Sequence, residues 1–265
     1  MDNSAPSPPL SLEEVLEIYL LCFEAAVAAL PPFSLAYAMS CQYDDVDVPV
    51  WMLWDTDDLD DPPADPFSLS FPPEYVVDGL MKKDMCDWFC FLLESEVDRK
   101  LRELFGARVR WLQCCPRIPF LLATRSGEHQ LEIPTHSVLL VTRCDGRMAV
   151  MDGTLQQFGW PRETWLQSWN DFLTTRVNTR EQPCYLFASD EDRESARELA
   201  TETDGGFWEV AQERMTELFG ELDWEELKNL GTVERVERVK RQAEDKFAGA
   251  NEEACERYDR EQGRE

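Results

Sequence analysis

The stretch that decides the fold is residues 84–106, Asp84-Met85-Cys86-Asp87-Trp88-Phe89-Cys90-Phe91-Leu92-Leu93 and onward to Leu104-Phe105-Gly106. Apolar residues recur at Met85, Phe89, Leu92, Leu93, Val97, Leu101 and Leu104. That spacing is close to the 3.6-residue period of an amphipathic helix. Gly106 is the C-terminal stop. The pattern predicts a long helix from Asp84 to about Phe105, with Asp84 as its N-cap.

Downstream the pattern changes. Extended segments are expected at Arg108–Gln113, Phe120–Thr124, Gln130–Ile133, Thr135–Val141 and Arg147–Met151. Ser126-Gly127 and Asp145-Gly146 mark turns between them. A helix is expected over Arg162–Phe172, after Trp160-Pro161, and a last strand over Cys184–Ala188. Upstream, Ser11 and Glu14 form a capping-box signature for a helix over Leu12–Leu30, stopped by Pro31-Pro32. Gln42–Leu53 reads as one strand, the Asp/Pro run Asp55–Pro66 as a loop, and Pro73–Lys82 as a short helix. The fold class expected is α+β, a central helix packed on an antiparallel sheet with helical additions at both ends. Residues 1–10 read as a Pro/Ser-rich leader, 11–188 as the α+β domain, and 189–265 as an acidic helical extension. Glu234–Arg238 and Glu237–Arg241 are spaced as i,i+4 pairs along the extension's charged end, Val233–Glu265.

Composition narrows the function classes. The chain has 265 residues, 43% hydrophobic, with nine Trp and 14 Phe, enough to bury a sizeable core. Its net charge is −27, unevenly spread. Residues 1–81 hold 16 acidic and no basic residues; residues 82–188 hold 13 acidic and 14 basic; residues 189–265 hold 24 acidic and 12 basic. Acidic flanks argue against nucleic-acid binding, which needs a basic footprint. They suit solubility, or the attraction of a basic protein. No run approaches the 18 apolar residues of a membrane span. The N-terminus lacks the positive region of a signal peptide. A cytoplasmic location with reduced cysteines is expected. Nine cysteines without a Cys-x-x-Cys pair, and only two histidines, do not supply a closed zinc shell. No Gly-rich phosphate loop is present, and no metal or organic cofactor is expected.

Three residues stand out. Cys86 falls in the first turn of the long helix, where free N–H groups and the positive end of the dipole favour a thiolate and an oxyanion. A bland alternative is a small buried core residue. Any Cys–His chemistry must use His129, in a turn, or His136, at the mouth of the apolar strand Thr135–Val141. His136 is otherwise a satisfied core or edge histidine. Asp152, in Met151-Asp152-Gly153-Thr154, is placed to orient an imidazole, or simply to form a turn before Gly. Register decides which. With a two-residue loop at Asp145-Gly146, Asp152 points away from His136. With a loop of three or five residues, Asp152 joins the His136 face.

Asp84-Met85-Cys86-Asp87-Trp88-Phe89, then Thr135-His136-Ser137-Val138, then Val150-Met151-Asp152-Gly153-Thr154, resemble the transglutaminase-like core of the papain-like thiol enzymes. The spacing is 50 residues from Cys to His and 16 from His to Asp. The resemblance covers about residues 80–160. It departs in having Asp84 where relatives often carry a small residue, and Gly153 where many carry Pro. It implies Cys86 as nucleophile, His136 as general base and then acid, and Asp152 as orienting carboxylate. Such an enzyme attacks an amide or peptide carbonyl, forms a thioester, and releases it to water or to an amine. Gln42, Trp51 and Trp54 lie upstream of the Cys as side chains that could face the oxyanion. The competing reading is a catalytically inactive member of the same fold serving as an acidic interaction module.

Overall fold

The computed structural model describes residues 10–31, 35–44, 46–55, 72–124 and 133–263. Residues 1–9 of the leader, residues 56–66 of the Asp/Pro run, the Ser126-Gly127 turn, His129, and residues 130–132 of one expected strand lie outside the described residues.

The first helix, α1 (Leu12–Ala28), starts at the Ser11–Glu14 capping box as its sequence predicts. It is apolar on nearly every side, so it is buried nearly all round; Tyr19, Leu20, Cys22 and Phe23 are inaccessible. The run read as one strand is a hairpin instead, β1 (Leu35–Tyr43) and β2 (Val46–Asp55), turned at Asp44. The acidic break carries more weight there than the apolar alternation around it. A helix, α2 (Glu74–Leu80), packs against this unit.

The central helix α3 runs from Cys86 to Phe105 and ends at Gly106 with φ 62°, the left-handed stop. Its N-cap is Met85, not Asp84. Asp84 is turned into the left-handed region at φ 60°, a conformation that Asp tolerates better than most residues. Then follow β3 (Arg108–Cys114), β4 (Leu121–Thr124), β5 (His136–Thr142), β6 (Met148–Met151), β7 (Leu166–Ser168), α4 (Trp169–Thr175) and β8 (Tyr185–Phe187). Five strands make one antiparallel sheet in the order β7-β6-β5-β3-β8. Strand β4 does not join it. It pairs parallel to β2, Val50 opposite Leu121, in a separate three-stranded sheet.

The stretch expected as one helix over Arg162–Phe172 is divided. A 3-10 turn at Arg162–Thr164 leads into β7, and α4 begins only where the Ser168 hydroxyl accepts from the Asp171 N–H. Sheet pairing of β7 with β6 overrides the helical pattern there.

The five-stranded sheet has two buried faces. Val109, Trp111, Leu139, Val141 and Met151 belong to the same core as α3. Leu112, Cys114, Val138, Leu140 and Val150 pack with Phe172 of α4 and with Val177. Burial on both faces accounts for the unbroken apolar run of β5.

Five helices follow: α5 (Asp190–Glu202), α6 (Phe207–Glu221), α7 (Trp224–Asn229), α8 (Thr232–Phe247) and α9 (Ala250–Glu261). Their charged composition conceals an apolar face that belongs to the main core. Trp208 stacks on Trp88 of α3, and Phe219 meets Tyr19 of α1 edge-on at 4.9 Å. Arg235 of α8 is buried; its guanidinium donates to Glu14 at 2.6 Å and to the Leu227 and Leu230 carbonyls. Arg238 pairs with Glu226 of α7 rather than along its own helix.

Candidate active site

Cys86 is the first residue of α3 and is 7% exposed. The Phe89 N–H makes the first helical bond, to the Met85 carbonyl. The N–H groups of Cys86, Asp87 and Trp88 therefore have no acceptor within the helix. The sulfur lies 3.9 Å from the Thr135 carbonyl, and so at the mouth of β5. Next to that carbonyl is His136, fully buried, with Phe158 and Trp160 edge-on to its ring at 4.9 and 5.6 Å.

Asp152 follows β6 directly. The register Leu139↔Met151, continued by one residue, sets it opposite Val138 and on the His136 face. Five residues, Arg143–Arg147, separate β5 from β6. The odd loop that the site requires is present. The carboxylate Oδ2 is 2.8 Å from His136 Nε2. Oδ1 accepts from the Thr154 N–H at 3.0 Å, and the backbone N–H of Asp152 donates to the Trp165 carbonyl at 2.8 Å. Gly153 is there for room: a Cβ would fall 2.5 Å from the Phe89 ring. The central helix presses on the loop that carries the acid, and only glycine fits.

Burial is the largest influence on the His136 imidazole and opposes its protonation. The charge and hydrogen bond of Asp152 act the other way, helped by a hydrogen bond and charge from Cys86, and together they raise the pKa above the usual histidine value. An imidazole whose positive charge a carboxylate favours, close to a thiol, is the arrangement that supports a thiolate–imidazolium pair. By contrast, burial pushes the Cys22 thiol up to about 12 and the Cys90 and Cys114 thiols upward as well.

Of the residues singled out in the sequence, Cys86, His136 and Asp152 come together. Of the oxyanion candidates, Trp54 is buried on β2 with an indole N–H that makes no hydrogen bond among the described residues, and the other two point elsewhere. Gln42 is exposed on β1, and Trp51 packs with Leu53, Val76 and Phe120 in the smaller sheet's core. Nothing in the sequence signals Gln157. Its buried amide nitrogen is 3.2 Å from His136 Nδ1 and 3.1 Å from the Thr154 hydroxyl. It thus holds the ring nitrogen opposite the one bound to Asp152. Lys82, four residues before Cys86, is a second such group. Its ammonium sits 5.0 Å over the Phe23 ring, and the charge of Asp152 acts on it.

Among the described residues no three Cys, His, Asp or Glu side chains gather as metal ligands, and no helix is long and apolar enough to cross a membrane. All nine cysteines are free. No family model, no curated protein and no solved structure matches the chain.

Proposed function

We propose that the chain is a thiol-dependent amide hydrolase or acyltransferase on a papain-like, transglutaminase-like fold. The observation that carries this reading is the buried His136–Asp152 pair, 2.8 Å apart, beside the thiol that opens the central helix. In the first half-reaction the Cys86 thiolate adds to an amide carbonyl. The oxyanion faces the free N–H groups of the first turn. The C–N bond breaks, the amine leaves with the proton from His136, and a thioester remains. Water or a second amine then gives its proton to His136 and attacks the thioester. The C–S bond breaks, releasing an acid or a new amide, and the thiolate is restored. Asp152 holds the ring and its charge throughout. The substrate is an amide or peptide; the acidic flanks favour a basic protein as its carrier. Nine free thiols suit a reducing, cytoplasmic setting.

The deciding experiment follows iodoacetamide alkylation of each cysteine against pH, by peptide mass mapping, in the parent and in His136→Ala. Cys86 is expected to react fastest, to keep reacting below neutral pH, and to slow near neutrality once His136 is removed. An inert Cys86, or equal rates in both proteins, overturns the catalytic reading.

One observation favours a second reading, an inactive interaction module. The Gln157 amide already holds the imidazole nitrogen that a thiol would use, and Cys86 is barely exposed. An inert Cys86 in the same experiment selects it.

A further inference from the structure

Trp160 closes one side of the His136 pocket. It also lines a cavity of about 560 Å³, shared with Tyr75, Asp78, Lys82, Gln156 and Arg162. The volume is within the range of small-molecule sites, roughly 300–1,000 Å³. Tyr75 and Trp160 give it aromatic walls. Lys82 gives it an ammonium that makes no hydrogen bond and no ion pair with any described residue; its one close partner is the Phe23 ring.

The charged groups around that ammonium are already committed or lie at the margin. Glu24 of α1 accepts from the Arg162 Nε at 2.7 Å. Asp152 is bound to His136. Asp78 is exposed on α2. Arg162 spends its Nε on Glu24, and its two terminal nitrogens make no hydrogen bond with any described residue. Gln156 has a buried side-chain oxygen that accepts no hydrogen bond among the described residues; it is an acceptor for an N–H or O–H on the ligand's body and takes no part in holding an anion. A cation drawn out of water without a counter-ion is costly, and an anion brought to it recovers that cost.

We infer that this cavity binds the anionic group of a ligand, a carboxylate or a phosphate carried on an apolar or aromatic body, with Lys82 as its counter-ion and Arg162 as a second donor. Taken with the thiol chemistry above, on which this step rests, the anion is a recognition handle on the substrate, separate from the reacting carbonyl. Trp160 is then the shared wall between the handle's cavity and the imidazole.

The test is calorimetric titration of the full chain, carrying Cys86→Ala to silence chemistry, with 3-phenylpropanoate, its neutral amide, and phenyl phosphate. The carboxylate or the phosphate is expected to bind at least roughly tenfold more tightly than the amide. Which anion binds better identifies the headgroup. Lys82→Met should remove that preference, whereas Lys83→Met should not. Burial lowers the Lys82 pKa to about 8, against the pull of Glu24 and Asp152 and with the help of Arg162. In the Cys86→Ala protein itself, carboxylate affinity should therefore fall roughly tenfold between about pH 7 and about pH 9 as the ammonium loses its proton. This arm needs no substitution at Lys82. Equal affinity for acid and amide, a pH-independent affinity, or no binding by any probe overturns the proposal. Anion binding in a protein whose Cys86 proves inert to alkylation would sink the thiol reading and leave the cavity's assignment standing.

Discussion

Trp88 lies flat against Trp208, ring centroids 5.0 Å apart and planes within 9° of parallel. Trp88 stands two residues after Cys86 on the central helix, and Trp208 is the second residue of α6 in the acidic C-terminal region. The helix that presents the thiol is braced by the very segment whose composition reads as solvated. Trp208→Ala is expected to cost about 3–5 kcal/mol of stability, the usual penalty for emptying a buried indole site. Urea unfolding checks it. A loss below about 1 kcal/mol would mean that the stacked pair is not part of the cooperative core.

Arg235 brings a second long-range tie. It is buried, and it joins α8 to the first turn of α1 through Glu14. Arg235→Met should cost about 2–4 kcal/mol, because it strands two carbonyls and a carboxylate. Glu14→Gln keeps an acceptor in place and should cost less. Thermal unfolding of the two variants tests that order.

Asp152→Asn should leave the backbone unchanged while removing the charge that raises the His136 pKa. Alkylation of Cys86 near neutral pH is then expected to slow by roughly tenfold or more. If the rate is unchanged, Asp152 is a turn residue and no partner in the chemistry.

The same pair has a pH signature. The folded state binds the His136 proton more tightly than an unfolded histidine, whose value is about 6.5. Its stabilisation is therefore complete below about pH 6.5 and is lost as pH rises through the raised folded value. Urea midpoints measured from slightly acid to alkaline pH should show the parent losing stability on the alkaline side, with the decline blunted in Asp152→Asn. Parallel curves would contradict the coupling.

Gly153→Ala places a methyl group against Phe89. A cost of about 1–3 kcal/mol is expected from overpacking. Cys86 alkylation should also slow, since the displaced loop carries Asp152. Phe89→Leu should restore part of both losses. A fully stable Gly153→Ala with an unchanged alkylation rate would refute the close-approach argument.

How much of this was legible in the sequence depended on how local each decision was. The long helix, its glycine stop and the Ser11 capping box are set by residues within a few positions of one another, and all three appear. The hairpin at Asp44 is hidden in the sequence, because Val and Trp on either side sustain one alternation. Strand β4 has four residues, too few to say whether its neighbour runs parallel. The helix expected at Arg162 gives way to β7 through pairing with β6, a tertiary effect. Cys86, His136 and Asp152 carry recognisable chemistry in recognisable order. Gln157 and Lys82 do not; they matter only because folding sets them beside His136 and the neighbouring cavity.

The turn between β5 and β6 gives the site a peculiar mode of inheritance. Losing or gaining one residue within Arg143–Arg147 would leave both strands paired and every apolar residue a place in a sheet buried on both faces, yet Asp152 would emerge on the wrong side. Two residues gained or lost would leave the pairing of acid and imidazole intact. The geometry therefore admits changes in the length of this turn only in steps of two, and Gly146, at φ 81°, restricts one identity within it as well. Descendants that take an odd step would keep the architecture and lose the contact of Asp152 with His136 at a stroke.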